Sequence, residues 1–438
     1  MKTDTVRLAL STRRTFLGGM GTAGVLALGA LPPLFLARAA EQNKTNRDGK
    51  ILVLLQLAGG NDGLNTVIPH ANAEYYRQRP SLAVGKSAVL KLNDELGLHP
   101  QLAGIKSLHD DGLLSIIQGV GYPNPNRSHF RSMDIWHSAR PDEEITRDGW
   151  MGRAMDAAAD KFAGRVPALA LGTDRLPLAL VAQRVTVPTV KSLKDYQLSE
   201  GKGNAKDQQR RRKLIAELAQ TPAKGTSDLD FLRRTAVTAI QTADKIAATT
   251  ANYKPAKPYP QTGLGQRLQT LTQLITADIG PQVYFVSLDG FDTHSDQAGA
   301  HNALLGELGG AVQAFFADLK AHGLADRVLL ATFSEFGRRV KENGSLGTDH
   351  GAASQIFLVS AGLKAAIHGK HPDMHDLDEG DLKHHTDFRQ VYATLLEQWL
   401  DWPSEPALLG KFARPRHGRC RGCHSLSRAG QIPRRWRA

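Results

Sequence analysis

Cysteine is nearly missing from this chain: two among 438 residues, Cys420 and Cys423, both close to the C-terminus. No disulfide framework can hold the sequence upstream of them, so stability there must come from burial. Beyond residue 40 there is also no apolar run approaching the length needed to span a bilayer, and no stable membrane span is expected. No internal repeat is present. Acidic residues are absent from 411–438, where nine Lys/Arg stand alone, and residues 1–39 hold five Lys/Arg against one Asp. The two ends thus carry +9 and +4 of the formal +12, which leaves about −1 for residues 40–410. A near-neutral core offers no basic track for phosphates, and no nucleic-acid partner is expected.

What is present begins with an address. Ser11-Thr12-Arg13-Arg14-Thr15-Phe16-Leu17 sets two arginines before an uncharged stretch rich in Gly, Ala and Leu, followed by the small-x-small site Ala37-Arg38-Ala39. Residues 1–39 read as a twin-arginine signal peptide, recognised by the twin-arginine export machinery and excluded from fold reasoning. Glycines and Pro32-Pro33 interrupt the apolar region, which favours cleavage over anchoring. The mature protein is expected in the periplasm or secreted.

Residues 51–57 (ILVLLQL) form a continuous apolar run of strand length, as a strand buried on both faces does. Similar runs recur at 113–120, 166–172, 281–288, 327–334 and 354–360, with helical patterns at about 226–249, 263–277, 302–322 and 387–400. That alternation predicts an α/β fold, a mostly parallel sheet with helices on both faces. The Lys/Arg-rich stretch at 200–213 opens a long helical region, and about 185–262 reads as a helical insertion on the main domain of 40–412.

Three loops place acids and imidazoles directly after an apolar strand: Gly59-Gly60-Asn61-Asp62-Gly63, Asp289-Gly290-Phe291-Asp292-Thr293-His294 with His301 beyond, and Ser334-Glu335-Phe336-Gly337-Arg338 followed by Asp349-His350-Gly351. Strand carboxyl ends are where open parallel sheets bind ligands. Carboxylate oxygen with imidazole nitrogen suits Zn²⁺, Mn²⁺ or a similar ion. Taken singly, Asp62 can merely fix a turn, Glu335 can cap a helix, and either histidine can be a satisfied polar group. The joint pattern points to a metal or multi-acid centre. A fourth segment, Tyr122 to Arg131, presents Ser128 between Arg127 and Arg131 and beside His129. Ser128 reads as a nucleophile, as a helix cap, or as both, with the arginines suited to gripping an anion.

The segments LLQLAGGNDGLNTVIP, GLHPQL, GVGYPNPNRSHFRSMDIW, GFDTHSDQ, FSEFGRRVKENGSLGTDHGAAS and DFRQVYATLLEQWL resemble the bacterial family called domain of unknown function 1501, from about residue 50 to 412. That family is related to the alkaline-phosphatase-like superfamily, which includes phosphatases and arylsulfatases. The resemblance implies an alkaline-phosphatase-like fold and up to two divalent ions, among Zn, Mn, Mg or Ca. It implies Asp62 as the first-strand metal aspartate, Ser128 as nucleophile, and Asp292 with His294 (His301 as substitute) on one metal. Glu335 stands where the superfamily has the aspartate of an Asp-His pair, with His350 as the last ligand; alternatively Asp349-His350-Gly351 is that motif itself. Phe336 after Glu335 departs from the pattern, and with no cysteine upstream a Cys-derived formylglycine is excluded. The function implied is an exported metal-dependent hydrolase of phosphate or sulfate esters, acting on a small anionic ester. The other reading is a non-catalytic exported binding or assembly protein on the same fold.

From Arg414 the pattern of a folded domain stops, and 413–438 is expected to be a basic, disordered tail. Cys420-Arg421-Gly422-Cys423-His424 is the attachment pattern of c-type haem. Almost no apolar sequence surrounds it to bury a porphyrin and no Met follows, so haem is not expected.

Overall fold

The computed structural model describes residues 49–162, 166–190, 253–278 and 280–412. The signal segment 1–39, the helical pattern at 226–249, most of the 185–262 insertion, and the tail with Cys420, Cys423 and His424 lie outside the described residues.

The apolar runs become one nine-stranded sheet. Its strands are β1 (Ile51–Ala58), β2 (Leu114–Gly121), β3 (Ala168–Leu171), β4 (Thr189–Val190), β5 (Val283–Asp289), β6 (Val328–Phe333), β7 (Ser354–Val359), β8 (Ala366–His368) and β9 (Thr386–Asp387). Their order is β8-β2-β7-β6-β1-β5-β3-β4, with β9 pairing β2. β1 lies in the middle, parallel to β5 through Leu52↔Val283 to Ala58↔Asp289 and to β6 through Ile51↔Val328 to Gln56↔Phe333. β7 pairs antiparallel with both β2 and β6, and every other pairing in this sheet is parallel. The expected mostly parallel sheet is therefore what forms. β4 shows that the sheet continues a few residues into the range read as insertion.

Both faces of the sheet are covered, as the unbroken apolar strands require. The main helices are α1 (Ala103–Asp110), α2 (His129–Ser138), α3 (Trp150–Ala157), α4 (Gly263–Thr276), α5 (Gln297–Ala321) and α6 (Phe388–Thr394), the last continuing into a π-helical stretch at Leu395–Leu400. Val53, Leu55 and Leu57 pack with Ile105 of α1, Leu268 and Leu271 of α4, and Phe315 of α5. Leu52 and Leu54 point the other way, onto Trp136 of α2, Trp150 of α3 and Tyr392 of α6. This alternation is the period-two geometry of a strand. Each such side chain, fully buried, stabilises the fold by about 1.5–3 kcal/mol.

The direction of β7 decides which loops meet. Parallel strands β1, β2, β5 and β6 deliver their following loops to one edge of the sheet. β7 runs against them, so the residues preceding it, 349–353, reach that same edge from the opposite sequence direction. Among the described residues no helix is long and apolar enough to cross a membrane.

Candidate metal centre

Arg338 draws these loops together. Its buried guanidinium donates to the carbonyls of Gly60 at 2.7 Å, Thr348 at 2.8 Å and Phe291 at 2.9 Å, to Gly59 O, and to Asp292 Oδ1 at 2.8 Å. One side chain thus satisfies the carbonyls of three loops that have no ladder partners. Gly59 lies at φ +115°, and a Cβ there would stand 2.4 Å from Asp292 N. Only glycine lets the loop after β1 pass that close to the loop after β5.

At the rim of this clamp four side chains converge. Asp292 Oδ1 lies 3.0 Å from His294 Nε2 and 3.1 Å from His350 Nε2, and Asp292 Oδ2 lies 3.2 Å from His129 Nε2. His294 Nε2 and His350 Nε2 are 2.8 Å apart. His129, Asp292 and His350 each offer a ligand atom within 4.8 Å of the others.

The other ring nitrogen of each histidine faces an oxygen. His129 Nδ1 is 3.0 Å from Glu335 Oε1, His350 Nδ1 is 2.7 Å from the Arg127 carbonyl, and His294 Nδ1 is 3.4 Å from Asp349 Oδ1. In the tautomer that puts each hydrogen on Nδ1, facing the oxygen behind it, each Nε2 presents a lone pair on the side of Asp292. In that tautomer the two Nε2 atoms 2.8 Å apart, with a carboxylate oxygen 3.0–3.1 Å from each, repel unless positive charge lies among them. The buried Nε2 of His129 has no hydrogen-bond partner. This donor set fits a divalent cation, and the oxygens behind the imidazoles form the outer shell that metal-binding histidines use.

Burial pushes the Asp292 carboxyl up, but the Arg338 and His350 hydrogen bonds and the charges of Arg338 and His129 outweigh it and hold the group well below the usual carboxylate range. Burial also lowers the His350 imidazole, against the hydrogen bonds to Asp292 and the Arg127 carbonyl that raise it. Hydrogen bonding from Asn343 is the largest cause lowering Asp349. The Phe336 ring sits against both His129 and His350, with centroids 4.9 and 4.4 Å away, and fixes their planes.

Of the residues singled out by sequence, Asp292, His294 and His350 meet here. Glu335 and Asp349 stand behind His129 and His294. Glu335 Oε1 also accepts from Gly59 N at 2.8 Å, so this buried carboxylate braces the loop after β1 as well. Asp62 and His301 are elsewhere. Asp62 Oδ2 accepts from Arg79 and Gln297, each at 2.5 Å, and its Oδ1 from Asn65 N at 3.3 Å. Burial raises its carboxyl, but the charges of Arg79 and His301 and the hydrogen bonds from Arg79 and Gln297 together outweigh this, and the net shift is downward. His301, in the second turn of α5, has Nε2 3.1 Å from Asn61 Oδ1, and burial lowers its pKa to about 4.

Ser128 is the N-cap residue of α2, yet its hydroxyl makes no capping hydrogen bond and the residue is exposed. It lies between Arg127, whose carbonyl holds His350, and His129, a member of the cluster. Arg127 itself is occupied, with Asp381 at 2.8 Å and Glu379 at 3.1 Å. Arg131 donates to the Pro141 carbonyl at 2.8 Å. The Arg127 guanidinium is thus paired with two carboxylates, while the buried Nη1 of Arg131 has no hydrogen-bond partner. His129 and Arg338 were the residues that sequence reasoning did not assign. The signal for His129 was its place directly after the candidate nucleophile, in a loop at a strand end.

Several solved structures are similar in overall course. They include the C-terminal periplasmic domain of EcEptC from Escherichia coli, at 10% identity over 84% of this chain and 89% of that one, with a TM-score of 0.36. A protein in the alkaline phosphatase superfamily from Vibrio parahaemolyticus shares 9% identity over 89% and 80%, with a TM-score of 0.38. The PsFucS1 sulfatase from Pseudoalteromonas sp. shares 12% over 88% and 76%, with a TM-score of 0.36. Likeness this remote says nothing about chemistry. No curated protein matches the chain. The family model described as "Protein of unknown function (DUF1501)" matches residues 49–400, most of the sequence, and the chain belongs to that family.

Proposed function

We propose that this protein is a metal-dependent hydrolase of phosphate or sulfate esters that works outside the cytoplasmic membrane after twin-arginine export of residues 1–39. The observation that carries the reading is the pair of imidazole Nε2 atoms 2.8 Å apart against Asp292, with Ser128, whose hydroxyl makes no capping bond, next in sequence to His129 of the same cluster. His129, Asp292, His294 and His350 would hold the cation. When bound, it supplies positive charge against the anionic ester and lowers the pKa of a nearby hydroxyl.

Ser128 is the attacking group. Its Oγ is exposed at the start of the ten-residue helix α2, where no side chain caps the first-turn N–H groups. Those groups and the helix dipole favour a negative charge on the attacked ester. Attack forms an ester between Ser128 Oγ and the phosphoryl or sulfuryl group and releases the alcohol, and water then cleaves that ester. Arg338 and Glu335 hold the loops and do not touch substrate.

The test is an ester panel on the mature protein, aryl phosphates and aryl sulfates, with and without chelator. Chelator-sensitive turnover of one class is expected, with N-terminal sequencing of exported protein placing the cut after Ala39. A protein loaded with cation that turns over neither class would sink the reading.

A further inference from the structure

We propose that the centre takes a single divalent cation, held by His129, Asp292, His294 and His350. The carboxylate that resemblance would give to a second cation, Asp62, is instead neutralised permanently by Arg79. This rests on reading the cluster as a metal centre and not on hydrolysis.

The two carboxylates differ in what their oxygens are free to do. Asp292 Oδ1 also accepts from Arg338 at 2.8 Å, but Oδ1 faces the Nε2 atoms of His294 and His350 as well, and Oδ2 is left to face His129 Nε2. Donors held tetrahedrally at about 2.0–2.1 Å from one ion lie roughly 3.4 Å apart. The spacings of 2.8 to 3.1 Å among Asp292 Oδ1, His294 Nε2 and His350 Nε2 need only a slight expansion to reach that, and His129 offers its ligand atom within 4.8 Å of those of Asp292 and His350. Asp62 has nothing left to offer. Its Oδ2 is shared by Arg79 and Gln297, and its Oδ1 accepts from the Asn65 backbone. Both members of the Asp62–Arg79 pair are fully buried at the side chain. The Arg79 guanidinium is fixed in turn by Asn65 Oδ1 at 2.9 Å and by the carbonyls of Val340 and Arg339. A cation entering there would have to expel a guanidinium held from four sides. Among the described residues, the group around Asp292 is the one assembly of three or more metal-ligating side chains.

Glu335 follows as a positioning residue. Its carboxylate accepts from Gly59 N and from His129 Nδ1, and its remaining oxygen lies 3.5 Å from the Ser334 hydroxyl. It selects the His129 tautomer whose Nε2 faces the centre. Removing such an outer-shell partner weakens metal affinity about 10–100-fold without changing stoichiometry.

The experiment strips the mature protein with chelator and titrates it with ZnCl₂ and MnCl₂ by calorimetry, with elemental analysis after dialysis. One ion per chain is expected. His129→Ala and His350→Ala should each abolish stoichiometric binding. Asp62→Asn should keep one ion, and Glu335→Gln should keep one ion with the affinity loss given above. Because Asp62→Asn strands a buried guanidinium, the neutral pair Asp62→Asn with Arg79→Gln is measured beside it. Two ions per chain, loss of the ion from either Asp62 variant that still folds, or complete loss from Glu335→Gln would overturn the proposal. Turnover does not enter: a protein that binds one ion and hydrolyses nothing upholds this assignment while removing the hydrolase.

Discussion

Asp62 and Asp292 look alike in sequence: each follows a buried strand within a few residues, in a loop flanked by glycine. Each accepts from a buried arginine, Asp62 from Arg79 seventeen residues beyond it and Asp292 from Arg338. The other acceptor sites of Asp62 go to Gln297 and the Asn65 backbone, while those of Asp292 face three imidazoles. A partner that far along the chain leaves no local signal, whereas the Asp292/His294 spacing and His350 before a strand were legible as acids and imidazoles at strand ends. The consequence can be measured. Asp62→Asn leaves Arg79 buried without its counter-ion, a change that costs about 3–5 kcal/mol, so chemical denaturation should shift its midpoint sharply down while the ester activity per folded molecule persists. Ser128→Ala should do the reverse. Its hydroxyl caps nothing, so the denaturation curve should superimpose on wild type, whereas turnover should fall by several orders of magnitude with the covalent step lost. Wild-type turnover in Ser128→Ala would exclude the serine as nucleophile and leave water as the attacking group.

At the scale of elements, the strands were the most legible part, because a sheet covered on both faces demands unbroken apolar runs of five to eight residues. The run at 51–57 became Ile51–Ala58 and that at 281–288 became Val283–Asp289. Helix 263–277 also formed within a residue, while α5 begins at Gln297 and not at 302. The direction of β7 was not legible, since an apolar run has no polarity, yet that direction is what carries His350 to the edge where Asp292 and the other imidazoles gather. The close crossing of the loops after β1 and β5 was half visible in Gly59-Gly60. It yields a specific expectation. Gly59→Ala puts a Cβ 2.4 Å from Asp292 N at a φ of +115°, so backbone must move on one side. The variant should lose cation affinity through displaced Asp292 even where circular dichroism reports an intact sheet. Zinc titration matching wild type would show that the loops yield without disturbing the centre.

For the whole molecule, the buried imidazoles set a pH limit. His301 and His137 lie in the interior, and burial lowers both to about 4 from an ordinary value of 6.5. Above pH 6.5 neither is protonated in the folded or the unfolded chain, and neither affects the balance. As pH falls from 6.5 towards 4, the unfolded chain takes up protons at both positions while the folded chain refuses them, so stability declines through this window. Each imidazole contributes a loss on the order of 3 kcal/mol by its lower end. Burial lowers His99, His371 and His384 as well, which adds to the slope with the same sign. The cluster histidines would confuse the measurement if a cation were present, so urea midpoints should be taken at pH 7.5 and 4.5 in chelator. His137→Gln tests the larger part of the argument on its own: it removes a titrating group whose ring nitrogen lies 3.1 Å from Gln56 Oε1 in the centre of the sheet. The variant should start less stable at pH 7.5 and lose less between the two pH values than wild type does. An equal loss in both proteins would mean that His137 is not held neutral, and that the acid sensitivity comes from carboxylates such as Asp62 releasing their arginines.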